Sequence, residues 1–133
     1  MSQTQNPGGE QRMSEHRNEP VLPSPAKLYR QVGEVVDRIE ELRTEVARLT
    51  KRYRQLAASP EALAVDDLGE PITAVEANDS VLNGLELADA DLQAGAEWLN
   101  TTRARHASRL KLTDTAGQQR EQRLRAQQRG RTR

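Results

Sequence analysis

Between residues 27 and 56 the sequence KLYRQVGEVVDRIEELRTEVARLTKRYRQL places an apolar residue at alternating steps of four and three. The positions are Leu28, Val32, Val35, Ile39, Leu42, Val46, Leu49, Tyr53 and Leu56. Such a spacing keeps all of these side chains on one side of a single helix. A helix cannot bury its own stripe, so a second helix has to lie on it. The expected fold class is therefore all-α, and the first question is which helix supplies the cover.

Local signals set the boundaries. Ser24 followed by Pro25 is an N-cap with a proline at the first helical position, where the missing N–H costs nothing. Ser59-Pro60 stops the run, because a proline disfavours helical geometry at the residue before it. The first helix is thus expected over 25–58. An acidic connector follows over 59–74, with a short helical turn after Ser59. Thr73 and Glu76 have the spacing of a capping box, which opens a second helix expected over 75–112. That helix repeats the spacing at Val81, Leu85, Ala88, Leu92, Gly95, Leu99, Thr102 and His106, with large residues in one row and small ones in the other. Thr113 to Gly117 reads as a breaker cluster. Residues 1–24, rich in Gln, Asn, Gly, Ser and Pro, are expected to be a disordered lead. Residues 113–133 are expected to form a solvated, Arg/Gln-rich basic tail, with at most transient helix over 118–128.

An identical helix running parallel, an identical helix running antiparallel and the second helix of the same chain compete for the first seam. Its a positions are Val32, Ile39, Val46 and Tyr53 and its d positions are mostly Leu, a pattern that suits a parallel homodimer. In that pairing, however, Arg38 meets Arg43 of the partner. Charge sorting favours an antiparallel neighbour. Residues 34–45 hold five acids and two bases, and residues 46–58 hold four bases and no acid. The second helix is acidic over 76–97 and basic over 103–111, so a hairpin within one chain sets opposite charges side by side. Exposed pairs of this kind set orientation more than stability. The expectation is a long antiparallel helical hairpin, a coiled coil within one chain. Two helices make a thin core, and Val36, Leu82, Leu87 and Trp98 lie off the seams. These four residues are the expected oligomer interface, pairing two hairpins into a dimeric helical bundle.

Composition narrows the function. The formal net charge of zero hides a middle block, residues 59–102, with ten acids and no base, and an end block, residues 103–133, with ten bases and two acids. There is no cysteine, which removes disulfides, thiolate metal sites and thiol nucleophiles. His16 and His106 are the only histidines, no glycine-rich phosphate loop is present, and the acids of the middle block do not follow a calcium-loop spacing. No catalytic residue, metal ligand or cofactor is expected, and an enzyme is not the reading. No apolar run is long enough for a membrane span, so no membrane partner is expected and a cytoplasmic location is the default.

The basic end carries the functional hint. Arg120, Arg123, Arg125, Arg129, Arg131 and Arg133 lie within fourteen residues that contain a single acid, Glu121, and Arg103, Arg105, Arg109 and Lys111 extend the set. Guanidinium groups pair phosphates bidentately. With no aromatic interleaved, base stacking is absent, and contact with DNA or RNA is expected along the backbone, without sequence preference. The function expected is a self-assembling helical protein that meets nucleic acid through its basic end, a description that suits an accessory factor of a plasmid or phage. The alternative is a protein assembly or scaffold factor, whose tail engages an acidic protein surface and whose 59–102 block engages a basic one.

Overall fold

The computed structural model describes residues 21–131. Among them three α-helices occur in order: α1 (Pro25–Ala57), α2 (Ala74–Arg105) and α3 (Asp114–Arg131). Single 3-10 turns lie at Pro60–Ala62 and Ala107–Arg109. No strand is present among the described residues, and the all-α expectation holds. Most of the expected lead, residues 1–20, lies outside the described residues; residues 21–24 carry no regular structure.

The boundaries follow local chemistry. The last turn of α1 closes with the Ala58 amide donating to the Arg54 carbonyl at 3.1 Å and the Ser59 amide to that of Leu56 at 3.0 Å. Pro60, with no N–H, cannot continue the ladder. At the start of α2 the capping box is complete. The Glu76 amide donates to the Thr73 hydroxyl at 3.1 Å, and the Thr73 amide donates back to the Glu76 carboxylate at 3.2 Å. That carboxyl is held below its ordinary range, first by the Thr73 hydroxyl and then by the Thr73 backbone N–H. The far end of α2 falls at Arg105, short of the expected Leu112. Ser108 donates its hydroxyl to the Ala104 carbonyl at 2.8 Å, the acceptor its own amide would need to extend the helix.

Residues Ala26–Leu110 form one compact unit. Within it α1 and α2 run antiparallel, fixed by three contacts along their length. Arg103 donates from Nε to the Tyr29 carbonyl at 3.0 Å, Arg43 donates from Nε to Asp89 at 3.0 Å, and the Asn78 side chain donates from Nδ2 to the Tyr53 carbonyl at 3.0 Å. As the α1 number rises from one contact to the next, the α2 number falls by the same step to within one residue. The register places Val36 opposite Ala96, and these are the two buried apolar residues of the described chain.

The contact uses only part of each seam. On α1 the covered rows are Val32, Ile39, Val46 and Tyr53, together with Tyr29, Val36, Arg43 and Thr50. The remaining seam row, Leu28, Val35, Leu42, Leu49 and Leu56, is left 40–49% exposed. On α2 the covered rows are Asn78, Leu85, Leu92 and Leu99, together with Leu82, Asp89, Ala96 and Arg103. Of the small row, Val81, Ala88 and Thr102 stay exposed and Gly95 is half-covered.

The described parts of the second unit are residues 21–25 and 111–131. Here the structure departs from the expected disordered C-terminal tail, since Asp114–Arg131 is an α-helix. The reason lies in the residues read as breakers. Thr113 is a helix start: its hydroxyl accepts from the Ala116 amide at 3.2 Å and its carbonyl accepts from the Gly117 amide at 2.8 Å. Asp114 in the first turn complements the helix dipole, and the Gln, Arg and Ala that follow are good helix formers. The half-covered positions Ala116, Gly117, Arg120 and Leu124 share one face of α3. On that face the Arg120 guanidinium donates from Nε to the Leu22 carbonyl at 2.9 Å.

Candidate nucleic-acid interface

The ten expected phosphate contacts separate into three groups. Arg103 is spent inside the α1/α2 pair. Besides its bond to the Tyr29 carbonyl, its guanidinium carbon lies 3.9 Å from the centre of the Tyr29 ring, a cation–π contact. A side-chain carbon at Gly33 would come within 2.9 Å of Arg103 Nη2, so the glycine is the space that the guanidinium occupies. Arg120 is half-covered and tied to the Leu22 carbonyl. These two are structural arginines.

The second group is exposed. Arg105 ends α2, Arg109 closes the 3-10 turn after it, and Lys111 stands in the irregular stretch that follows. Arg123, Arg125 and Arg129 are exposed on α3. Arg125 and Arg129 sit one helical turn apart, with Gln118 and Gln122, on the side of α3 opposite its covered face. The third group is the chain end: Arg131 closes α3, and Arg133 lies outside the described residues. A helix replaces the expected flexible arm, so the exposed arginines of α3 keep fixed mutual spacing.

The four residues expected to form the oligomer interface also separate. Val36 is 8% exposed and faces α2, and Leu82 is half-covered in the same contact. Both are occupied within the chain. Leu87 and Trp98 are exposed, Trp98 to 73%. The Leu28–Leu56 row, which the sequence placed in the seam itself, is open as well. The signal was present, because a four-three repeat contains two rows and one helix does not cover both.

On its other side the α1/α2 pair carries charged residues along an open groove of about 510 Å³, where Glu40 and Arg54 of α1 and Glu86 of α2 stand beside Val46, Ala47 and Leu85. Arg43 bridges it, donating to Asp89 and, at 3.3 Å, to Glu40. Its guanidinium is held still more firmly protonated than usual, chiefly by the hydrogen bond to Asp89. Among the described residues no three His, Asp or Glu side chains group as metal ligands, and no helix is long and apolar enough to cross a membrane. No family model matches the chain, and neither does any curated protein or solved structure.

Proposed function

We propose that this chain is a non-enzymatic, cytoplasmic interaction protein. Its α1/α2 body assembles with further copies of itself as a coiled-coil bundle, and its basic end contacts the phosphate backbone of DNA or RNA without reading bases. The observation that carries the reading is α3, a capped helix whose exposed Arg123, Arg125 and Arg129 are accompanied beyond the first turn by one acid, Glu121. A helix that displays arginines at fixed spacing engages several phosphates at a smaller entropy cost than a free tail does. Arg105, Arg109 and Lys111 are exposed as well.

Fluorescence anisotropy of a labelled duplex and of an RNA strand tests it, from about 50 to about 200 mM salt. The full chain should bind both, with affinity that falls steeply as salt rises. The variant Arg125→Gln/Arg129→Gln should weaken binding to every sequence alike and reduce the log–log salt slope by about 2. Absence of binding at low salt sinks the nucleic-acid reading.

A second reading has its own observation. Asp66, Asp67 and Glu70 in the connector are exposed, within a stretch that carries no base. A scaffold factor that uses this acidic segment on a basic protein surface, and α3 on an acidic one, would form a salt-sensitive complex free of nucleic acid.

A further inference from the structure

We infer that the half-exposed apolar rows of α1 and α2 are the docking site for a second copy of this chain, with α1 of one copy lying on α2 of the other. The inference deepens the self-assembly part of the function proposed above and rests on it.

The two open rows belong to one face. Each helix puts the same two heptad rows into the α1/α2 contact and leaves out the same third row. An antiparallel pair is related by a two-fold axis normal to the plane of its two helices. That operation carries the left-out row of α1 onto the left-out row of α2 without changing sides. Leu28, Val35, Leu42, Leu49 and Leu56 therefore emerge beside Val81, Ala88, Gly95 and Thr102. The opposite face carries charge, with Glu40 and Arg54 sharing a groove with Glu86.

The covered core asks for more burial. Only Val36 and Ala96 are buried apolar residues in the described chain, and no side chain is fully buried. A two-helix unit of this kind gains little apolar burial against the entropy of ordering its residues.

Shape and charge select the occupant. One side of the face is a ridge of Leu and Val, and the other is a shallow row of Val, Ala, Gly and Thr. A side-chain carbon at Gly95 would meet nothing within 4 Å. A second copy turned about an axis parallel to the helices lays each ridge on the other's shallow row. The Arg43–Asp89 contact between the antiparallel helices puts Leu42 and Ala88 within about 3 Å of each other in height, and this rotation preserves height, so Leu42 of one copy lies over Ala88 of the other. One turn further along the same direction, Arg38 at the rim meets the partner's Asp91, and the symmetry makes the pair twice. Neither Arg38 nor Asp91 forms an ion pair among the described residues. Turning the copy the other way, α1 on α1, sets ridge on ridge and Asp91 beside Asp91, which leaves the shallow rows apart and like charges together.

Sedimentation equilibrium of the full chain is the first measurement, and a concentration-dependent dimer is expected. Arg38→Asp and Asp91→Arg should each weaken it by roughly tenfold, and the two together should recover most of the loss. Neither side chain is in the α1/α2 contact, so helical content by circular dichroism should be unchanged. For the orientation, chains carrying Leu42→Cys are mixed with chains carrying Ala88→Cys and oxidised. Disulfide formation between the two kinds of chain, without self-linking of Leu42→Cys, is the expected result. Self-linking of Leu42→Cys alone overturns the arrangement in favour of α1 on α1. A dimer indifferent to both charge variants and to both cysteines overturns the face. A chain that stays monomeric at all concentrations overturns self-assembly itself, while the nucleic-acid reading keeps its own separate test.

Discussion

Val35 and Val36 are neighbours in sequence and alike in chemistry, yet they belong to different surfaces. Val36 lies against α2 at 8% exposure, whereas Val35 stands 40% exposed in the ridge on the apolar face. The same division runs the length of α1. Tyr29, Val36, Arg43 and Thr50 face inward with the a row, and Leu28, Val35, Leu42, Leu49 and Leu56 face outward. The inner rows are also the more polar, with Arg43, Thr50 and the tyrosines among them. The outer row is entirely aliphatic. The uncovered row is thus the more apolar one, the condition under which the proposed second copy would gain burial.

The widest separation between the two rows should come from an acid placed in each. Val36→Asp buries a carboxylate with no basic partner opposite it, where the register brings Ala96. It should cost more than about 3 kcal/mol, seen as loss of cooperative thermal melting. Val35→Asp should leave the dilute chain helical, within about 1 kcal/mol of the parent, and abolish self-association. Equal destabilisation by both would erase the distinction between rows.

Glycines sharpen the comparison at smaller scale. At Gly84, on the outer side of α2, an added side-chain carbon meets nothing within 4 Å. Gly84→Ala should therefore keep the whole helix-propensity gain, about 1 kcal/mol. Gly33→Ala has the same intrinsic gain but displaces the guanidinium of Arg103 from Tyr29. Its net effect in a thermal melt should be clearly smaller than that of Gly84→Ala, and of opposite sign if Arg103 cannot re-form its contacts.

The smallest effect is local and separates capping from packing. The Glu76 carboxyl is held below the ordinary glutamate range by the Thr73 hydroxyl and N–H. A depressed carboxyl stabilises the fold at pH above its unfolded value and loses that contribution as pH falls through the folded one. The melting difference between the parent chain and Glu76→Gln should be full at neutral pH and shrink below about pH 4.5. Val35→Asp and Gly84→Ala should not remove that trend, because the cap lies outside both rows.

Much of this organisation was legible in the residues. Pro25 and Pro60 bracket α1, and Thr73 with Glu76 opens α2, because these signals act through backbone groups within four residues of themselves. The start of α3 is equally local, but Thr113 beside Gly117 has the composition of a breaker while its hydroxyl acts as a cap. The roles of Arg103 and Arg120 were not legible. A basic residue near other basic residues looks like a phosphate contact until the fold shows a Tyr29 ring and carbonyl beside one and the Leu22 carbonyl beside the other.

By itself the sequence determined that long helices form, where α1 begins and ends, and that α1 and α2 run antiparallel, since heptad spacing, caps and sorted charge are properties of the chain order. Which rows meet was decided only in three dimensions. A four-three seam presents two rows, and a small rotation about the helix axis chooses between covering both or trading one for the next. Here the choice follows from what lies opposite. Ala96 faces Val36 closely, Gly33 makes room for Arg103, and Asp89 reaches Arg43, so the inner rows win the contact and the aliphatic ridge is left open.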